Sequence, residues 1–367
     1  MRVLCVFGTR PEAIKMAPVI RELQKQPARA DVRVCVTGQH REMLDQVLRL
    51  FEIIPDHDLD IMRADQSLTE VTAAALTGLD AVIASERPDW VVVQGDTTTA
   101  MAAALVAFYH RVRIAHVEAG LRSWNRAHPF PEEINRRLAD DLSNLHFAPT
   151  EVARQNLLRE GHDGSTVIVT GNTVIDALHW VAGLPAPRDL EVLIPGNGAR
   201  LLLVTAHRRE SFGPAMEEIC LALRDLATRY GDTVRIVYPV HLNPRVRGPV
   251  HHTLGDMRNI ALVPPLDYLR FVHLMKRAYL VLTDSGGVQE EAPGLGKPVL
   301  VLREVTERPE AVAAGTARVV GTSRERVVGE AARLLDDPAE YARMAHAANP
   351  YGDGHAAGRI VTALLAA

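Results

Sequence analysis

Thr283-Asp284-Ser285-Gly286-Gly287-Val288-Gln289-Glu290-Glu291, followed by Ala292-Pro293-Gly294-Leu295-Gly296-Lys297-Pro298, lies between two apolar runs, Tyr279 to Leu282 and Val299 to Leu302. Both runs have strand character, and the acidic segment after the Ser-Gly-Gly turn can start a helix. A strand–turn–helix junction offers free backbone N–H groups at the positive end of a helix dipole, which suits a phosphate. Two glycines let the backbone approach an anion with no Cβ in the way. The stretch therefore reads as a diphosphate site, with the rest of the chain supplying the other half of a cleft.

Working outward, strand-like and helix-like segments alternate twice. In the first run, strands are expected at Val3–Phe7, Val32–Val36, Trp90–Val93, Ile114–Val117, Leu145–Phe147 and Val167–Val169. Helices fill the intervals, with Pro11 at the first position of one and Thr150 capping another. Prolines and glycines cluster between Gly183 and Ala199, the candidate linker. The alternation then restarts with Leu201–Val204, Val234–Val237 and Ile260–Val263. Asn349-Pro350-Tyr351-Gly352-Asp353-Gly354 breaks the chain before a last helix. Two such runs mean two doubly wound parallel sheets, in which ligands bind off the carboxyl ends of strands. Nearly every polar motif in the chain follows a strand.

A chain of 367 residues fits two domains. The net charge of −4 is small, so whole-chain electrostatics argue for neither nucleic acid nor an anionic membrane, and any anion site must be made locally. Cys5, Cys35 and Cys220 are odd in number and widely spaced, against a disulfide framework or a zinc site. The apolar run ending at Phe7 is too short for a signal peptide, and no other run approaches the roughly 20 residues of a membrane span, so a cytoplasmic protein is expected. No Gly-x-Gly-x-x-Gly or Gly-x4-Gly-Lys-Ser/Thr pattern occurs, which removes support from nicotinamide and P-loop readings.

The polar motifs sort by chemistry. Gly8-Thr9-Arg10-Pro11-Glu12-Ala13-Ile14-Lys15 puts Arg10 in a strand-to-helix turn, where its planar fork suits an oxyanion, and Lys15 one helical turn further. A lysine on a helix surface is more often simply solvated. Gln94-Gly95-Asp96-Thr97-Thr98-Thr99 places a carboxylate at a strand end, although Asp96 or Thr97 would serve equally to cap the next helix. Glu118 follows another strand. Glu132 and Arg136 share a helix face, as do Glu133 and Arg137. His207-Arg208-Arg209 follows the first strand of the second half, and His207 could donate to a phosphate oxygen. His241 follows the next strand, and Arg308 the strand after the opening stretch. Asp56-His57-Asp58 and His251-His252 read as surface rather than as metal ligands.

Taken together, these stretches resemble the non-hydrolysing UDP-N-acetylglucosamine 2-epimerases. The likeness runs through FGTRPEAIKMAP (7–18), CVTGQHREMLDQVL (35–48), QGDTTT (94–99), HVEAGLR (116–122), PEEINRR (131–137) and TGNTVIDAL (170–178). It continues through AHRRESFG (206–213), YPVHLNP (238–244), the long stretch 282–312 and NPYGDG (349–354). The resemblance implies the GT-B fold, two Rossmann-like domains with the active site in the cleft between them. Residues 1–183 would carry the catalytic carboxylates and 184–354 would bind UDP, with the helix at 355–367 packing back on the first domain.

It also implies reversible epimerisation at C2 of UDP-N-acetylglucosamine to UDP-N-acetylmannosamine, supplying ManNAc for cell-surface polysaccharide. The C2 proton is not α to a carbonyl, so direct abstraction is hard. The family's route is elimination of UDP to 2-acetamidoglucal and re-addition, which needs carboxylates for proton transfer and cations for the leaving diphosphate. By the same match Asp96, Glu118, Glu132 and His207 are catalytic. Arg10, Ser285, Gly286 and Gly287 hold the diphosphate together with His207, Glu291 the ribose and Phe271 the uracil region. Lys15, Arg136 and Arg308 line the substrate. Leu266 stands where some relatives have Gln. A second, activating UDP-GlcNAc site would use Gln39, Glu42, Arg208 and His241. No cofactor, metal, nucleic acid or membrane is implied, and the family commonly forms homodimers. The competing readings are a GT-B glycosyltransferase using UDP-GlcNAc, a hydrolysing relative, and a nucleotide-sugar sensor without catalysis.

Overall fold

A computed structural model describes every residue except 39, 40, 64 and 197, and every described side chain except those of 41 and 42. The chain divides into two compact units, Met1–Ala177 with Tyr351–Ala367, and Leu178–Pro350.

The first unit runs β1 (Arg2–Phe7), α1 (Arg10–Gln24), β2 (Asp31–Val36), α2 (Arg41–Leu50), β3 (His57–Asp58), α3 (Leu68–Glu86) and β4 (Trp90–Gln94). It continues with α4 (Thr98–Tyr109), β5 (Arg113–Val117), α5 (Glu132–Leu142), β6 (Leu145–Ala148), α6 (Glu151–Arg159) and β7 (Val167–Val169). The next helix, α7 (Thr173–Gly183), runs across the division. Among the described residues the strands form one parallel sheet in the order β3-β2-β1-β4-β5-β6-β7. Val3 to Phe7 and Val91 to Val93 are fully buried, as the middle strands of a parallel sheet covered on both faces must be.

The strand order reverses between β1 and β4, which pair from Val3 with Trp90 onward. At such a switch point the loops leaving adjacent strands part in opposite directions and open a crevice at the carboxyl ends. Gly8 leaves β1 there and Gly95 leaves β4. A Cβ on Gly8 would lie 2.1 Å from Thr37 Oγ1 and 2.6 Å from Thr99 Oγ1, so only glycine fits.

The second unit runs β8 (Arg200–Thr205), α8 (Pro214–Tyr230), β9 (Val234–Pro239), α9 (Pro244–Leu254), β10 (Ile260–Val263), α10 (Tyr268–Arg277) and β11 (Leu280–Thr283). Then come α11 (Gly286–Gly294), β12 (Val299–Val301), α12 (Pro309–Ala313), β13 (Ala317–Val319), α13 (Arg324–Asp336) and α14 (Pro338–Ala345). Its parallel sheet has the order β10-β9-β8-β11-β12-β13, with the switch between β8 and β11. Thr205 and Thr283 end these two strands in register and share a hydrogen bond of 2.6 Å. Leu202, Val204, Leu280, Leu282 and Leu300 are buried under α8 and α13 residues such as Ile219, Leu223 and Leu334.

The chain ends in α15 (Ala356–Ala366), which belongs to the first unit and packs on α1. Asp176 on α7 takes the place of an N-cap for it. Its carboxylate accepts from Ala357 N at 2.8 Å and Ala356 N at 3.2 Å. Burial pushes the Asp176 carboxyl up, and these two backbone donors pull against that rise.

Three elements were not expected from sequence: β3, α9 and β13. The helix α3 was expected, but its length and apolarity were not: over 18 of its 19 residues the mean hydropathy is 1.3, enough to cross a membrane by length and composition. In this structure Val71, Ala75, Leu79, Val82 and Ile83 pack it into the first unit's core.

Candidate active site

At the β4 end, Thr97 caps α4. Its Oγ1 accepts from Ala100 N at 3.1 Å and donates to Glu12 at 2.6 Å. Asp96 is thereby relieved of capping, and its carboxylate receives the guanidinium of Arg136. Asn135 Nδ2 donates to the Asp96 carbonyl at 3.1 Å, so one turn of α5 fixes both the backbone and the side chain of Asp96.

Glu12 explains why the turns after β1 and β4 stay together. Thr9 and Glu12 form a capping box, and the Glu12 carboxylate accepts from Thr9 N at 2.7 Å, Gly8 N at 3.0 Å and Thr97. Burial pushes the Glu12 carboxyl up, and those donors offset part of the rise.

Glu118 leaves β5 with φ of +67°, a left-handed backbone that costs a non-glycine residue roughly 1–3 kcal/mol. Strain of that size persists only where the surroundings over-determine it. Glu118 N and Ala119 N both donate to Phe147 O, at 3.0 and 3.1 Å. The side chain, nearly buried, is ion-paired with Lys15 and accepts from Asn172 Nδ2 at 2.8 Å. Lys15 is thus no idle surface lysine.

The face-sharing pairs on α5 do not form as i,i+4 ion pairs. Arg136 turns to Asp96 and Glu133, and Arg137 to Glu160 at 3.2 Å. Glu133 is a loop anchor, accepting from Ser123 N at 2.9 Å and Trp124 N at 3.2 Å. Glu132, one residue earlier, is left over. Its Oε2 is buried and has no hydrogen-bond partner among the described residues. A buried carboxylate oxygen without a donor is costly and is the kind of group a substrate hydroxyl or proton would satisfy. Arg10, half-buried, begins α1.

In the second unit the cradle forms at the β8 and β11 ends. Ser285 is the N-cap of α11, so Gly286 and Gly287 are its first residues and their N–H groups point out of the helix start. A Cβ on Gly286 would lie 3.8 Å from Arg208 Nη2, Arg308 Cζ and Arg308 Nη2, so two guanidiniums converge on the glycine. Arg308 is held by Glu290. This brings Arg208, expected at a second site, to the cradle itself.

His207 is oriented from behind. Asp284, fully buried, accepts from His207 N and Arg208 N, both at 2.7 Å, and its Oδ1 lies 4.0 Å from His207 Nδ1. The His207 ring stacks on His241, centroids 5.2 Å apart. Burial pulls the His207 imidazolium down; Asp284 pulls it up, while His241 and Arg208 push it further down.

Glu291 sits in the second turn of α11 and accepts from Tyr268 Oη at 2.6 Å. Phe271 is one turn further along α10, half-buried. Gln39 and the side chain of Glu42 lie outside the described residues. Among the described residues no group of three or more His, Cys, Asp or Glu is placed to hold a metal.

Sequence reasoning passed over Glu12, Asn172, Tyr268 and Asp284. Thr9-x-x-Glu12 spells a capping box and was readable. Asn172 and Asp284 follow strands, which was a usable signal, whereas nothing in the sequence pairs Tyr268 with Glu291.

A family model described as UDP-N-acetylglucosamine 2-epimerase matches residues 21–365. The chain belongs to that family. The UDP-N-acetylglucosamine 2-epimerase of Escherichia coli K12 is 56% identical over 371 residues, covering 99% of this chain and 98% of the relative. Among epimerase structures, that of Neisseria meningitidis bound to UDP-GlcNAc is 50% identical over the whole of both chains, with a TM-score of 0.90. The Methanocaldococcus jannaschii enzyme in complex with UDP-GlcNAc and UDP is 35% identical over the whole of both chains, with a TM-score of 0.81. Two parallel-sheet α/β units are the GT-B architecture expected for the family.

Proposed function

We propose that this protein interconverts UDP-N-acetylglucosamine and UDP-N-acetylmannosamine by eliminating UDP to 2-acetamidoglucal and adding it back after protonation on the other face. The observation that carries this is the carboxylate set of the first unit. Asp96 and Glu118 each face a cation, and Glu132 holds an unsatisfied oxygen beside them in sequence role, at the start of α5. A glycosyltransferase needs one base for an acceptor hydroxyl; three carboxylates with Lys15 and Arg136 suit a reaction that removes a proton, carries an oxocarbenium-like charge and returns the proton.

The second unit's part is the leaving group. Ser285, Gly286 and Gly287 offer N–H donors to the diphosphate, Arg208 and Arg308 offer charge-assisted bonds, and His207 donates when protonated. Glu291 accepts from the ribose hydroxyls, and Phe271 lies against the uracil. No redox cofactor is required, because C–O cleavage and re-formation leave the sugar at its starting oxidation level.

Three buried free thiols, each pushed up to about 12 by burial, fit a reducing cytoplasm. A homodimer is part of the same reading, and exposed Phe108 and Tyr109 at the end of α4 fit a surface covered by a second copy. Activation through His241 and the Gln39–Glu42 segment would show as a sigmoidal rate against UDP-GlcNAc.

Product analysis after incubation with UDP-GlcNAc tests the function. UDP-ManNAc at equilibrium with substrate is expected. Free ManNAc with stoichiometric UDP would mean a hydrolase, and UDP formed only with an added acceptor would mean a transferase.

A further inference from the structure

Beneath the carboxylates lies a buried histidine–carboxylate pair to which the proposed reaction gives no task. His116, the next-to-last residue of β5, is fully buried, and so is Asp140 on α5. His116 Nδ1 is 2.6 Å from Asp140 Oδ1, and Nε2 is 2.7 Å from the Gly95 carbonyl oxygen. A neutral imidazole has one N–H, so one of these contacts would set a lone pair against an acceptor. Both close only when both ring nitrogens carry hydrogen, or when the proton sits on Asp140.

The surroundings of Asp140 decide between these. Its Oδ2 accepts from Arg122 Nη2 at 2.7 Å and Gly120 N at 3.3 Å, so it is already engaged as a carboxylate. Despite its burial, the contacts of His116 and Arg122 hold the Asp140 carboxyl well below the usual range. The remaining neighbours keep the balance. Arg122 is shared with Glu160, Glu160 with Arg137, and His146, itself pulled down by burial, bonds the Asp140 carbonyl through Nε2 at 2.9 Å.

We propose that His116 is a positioning residue, an imidazolium that donates to Asp140 and to the Gly95 carbonyl together and so fixes Asp96 and Glu118 for proton transfer. Gly95 immediately precedes Asp96, and its left-handed backbone, φ +72°, aims that carbonyl at His116. Gly120, held through Asp140, stands two residues after Glu118, whose own strained backbone must be gripped on both sides. One ionic unit therefore clamps the turns after β4 and β5. Its role in turnover rests on the epimerase reading; its protonation does not.

Two measurements test it. Nitrogen-15 NMR of ring-labelled protein at pH 8, where a free imidazole is neutral, should show one buried histidine with protons on both ring nitrogens, absent in His116→Gln. The same variant should lose about 100-fold in kcat, with KM and the Kd for UDP within about twofold of wild type. A single protonated nitrogen on His116, or unchanged kcat in a folded His116→Gln, overturns the proposal. If that variant fails to fold, the wild-type NMR spectrum still decides the protonation. A wild type that does not epimerise UDP-GlcNAc removes the reaction, and the positioning role with it, even where the imidazolium is found.

Discussion

The guanidinium of Arg136 on α5 donates to the carboxylate of Asp96 at the end of β4, across 40 residues of sequence. Arg136 also donates to the Leu121 carbonyl at 3.2 Å, so it ties the turn after β4 to the polar loop after β5. An arginine used as a fork between two acceptors is not replaceable by lysine, which brings a point charge without the planar geometry.

Arg136→Lys should therefore lower kcat by about 10- to 100-fold while the Kd for UDP stays near wild type. Steady-state rates with calorimetric titration of UDP check this. Weakened UDP binding at unchanged kcat would instead put Arg136 on the nucleotide.

His207 gives a pH dependence with a defined sign. Burial depresses its imidazolium, so in the free protein it is neutral at pH 7, and a diphosphate arriving beside it favours the charged form. UDP binding should take up a proton and tighten as pH falls towards the depressed value of the free protein. Calorimetry in two buffers of different ionisation enthalpy measures the uptake. The stability effect runs the other way: the unfolded chain binds this proton more readily, so the contribution of a neutral His207 is lost as pH falls below ~6.5. Proton release on UDP binding would contradict this account of His207.

Asp176 concerns the fold alone. Removing its carboxylate in Asp176→Ala strands the Ala356 and Ala357 N–H groups at the start of α15. The expected cost is about 0.5–2 kcal/mol, as for loss of an N-cap. Thermal or urea unfolding followed by circular dichroism should register it, with the largest effect on the transition of the unit that contains α15.

Much of this was legible in the sequence for a physical reason. Central strands of a parallel sheet are buried on both faces, so Val3–Phe7 and Val91–Val93 read as continuous apolar runs, and the polar residues after them mark the site. What hid the rest differs case by case. The helix α9 carries Gly248 and Pro249 in its interior, which read as breakers. The strands β3 and β13 are two and three residues long, too short for periodicity to show. The left-handed backbone of Glu118 has no sequence signature, because only glycine announces that conformation. The partners of the candidate carboxylates, Lys15 with Glu118 and Arg136 with Asp96, are separated by 103 and 40 residues and emerge only from the fold. The resemblance to a family supplied the roles; the packing supplies the reasons they are possible.

The central claim is that carboxylates of the first unit exchange the C2 proton while UDP is detached. Incubation with UDP-GlcNAc in D2O, followed by proton NMR of the sugar C2 position, tests it most directly. Elimination and re-addition predict UDP-ManNAc carrying deuterium at C2, lost in Asp96→Asn, Glu118→Gln and Glu132→Gln together with turnover. UDP-ManNAc formed with its original C2 hydrogen would contradict proton exchange with solvent and the mechanism built on it.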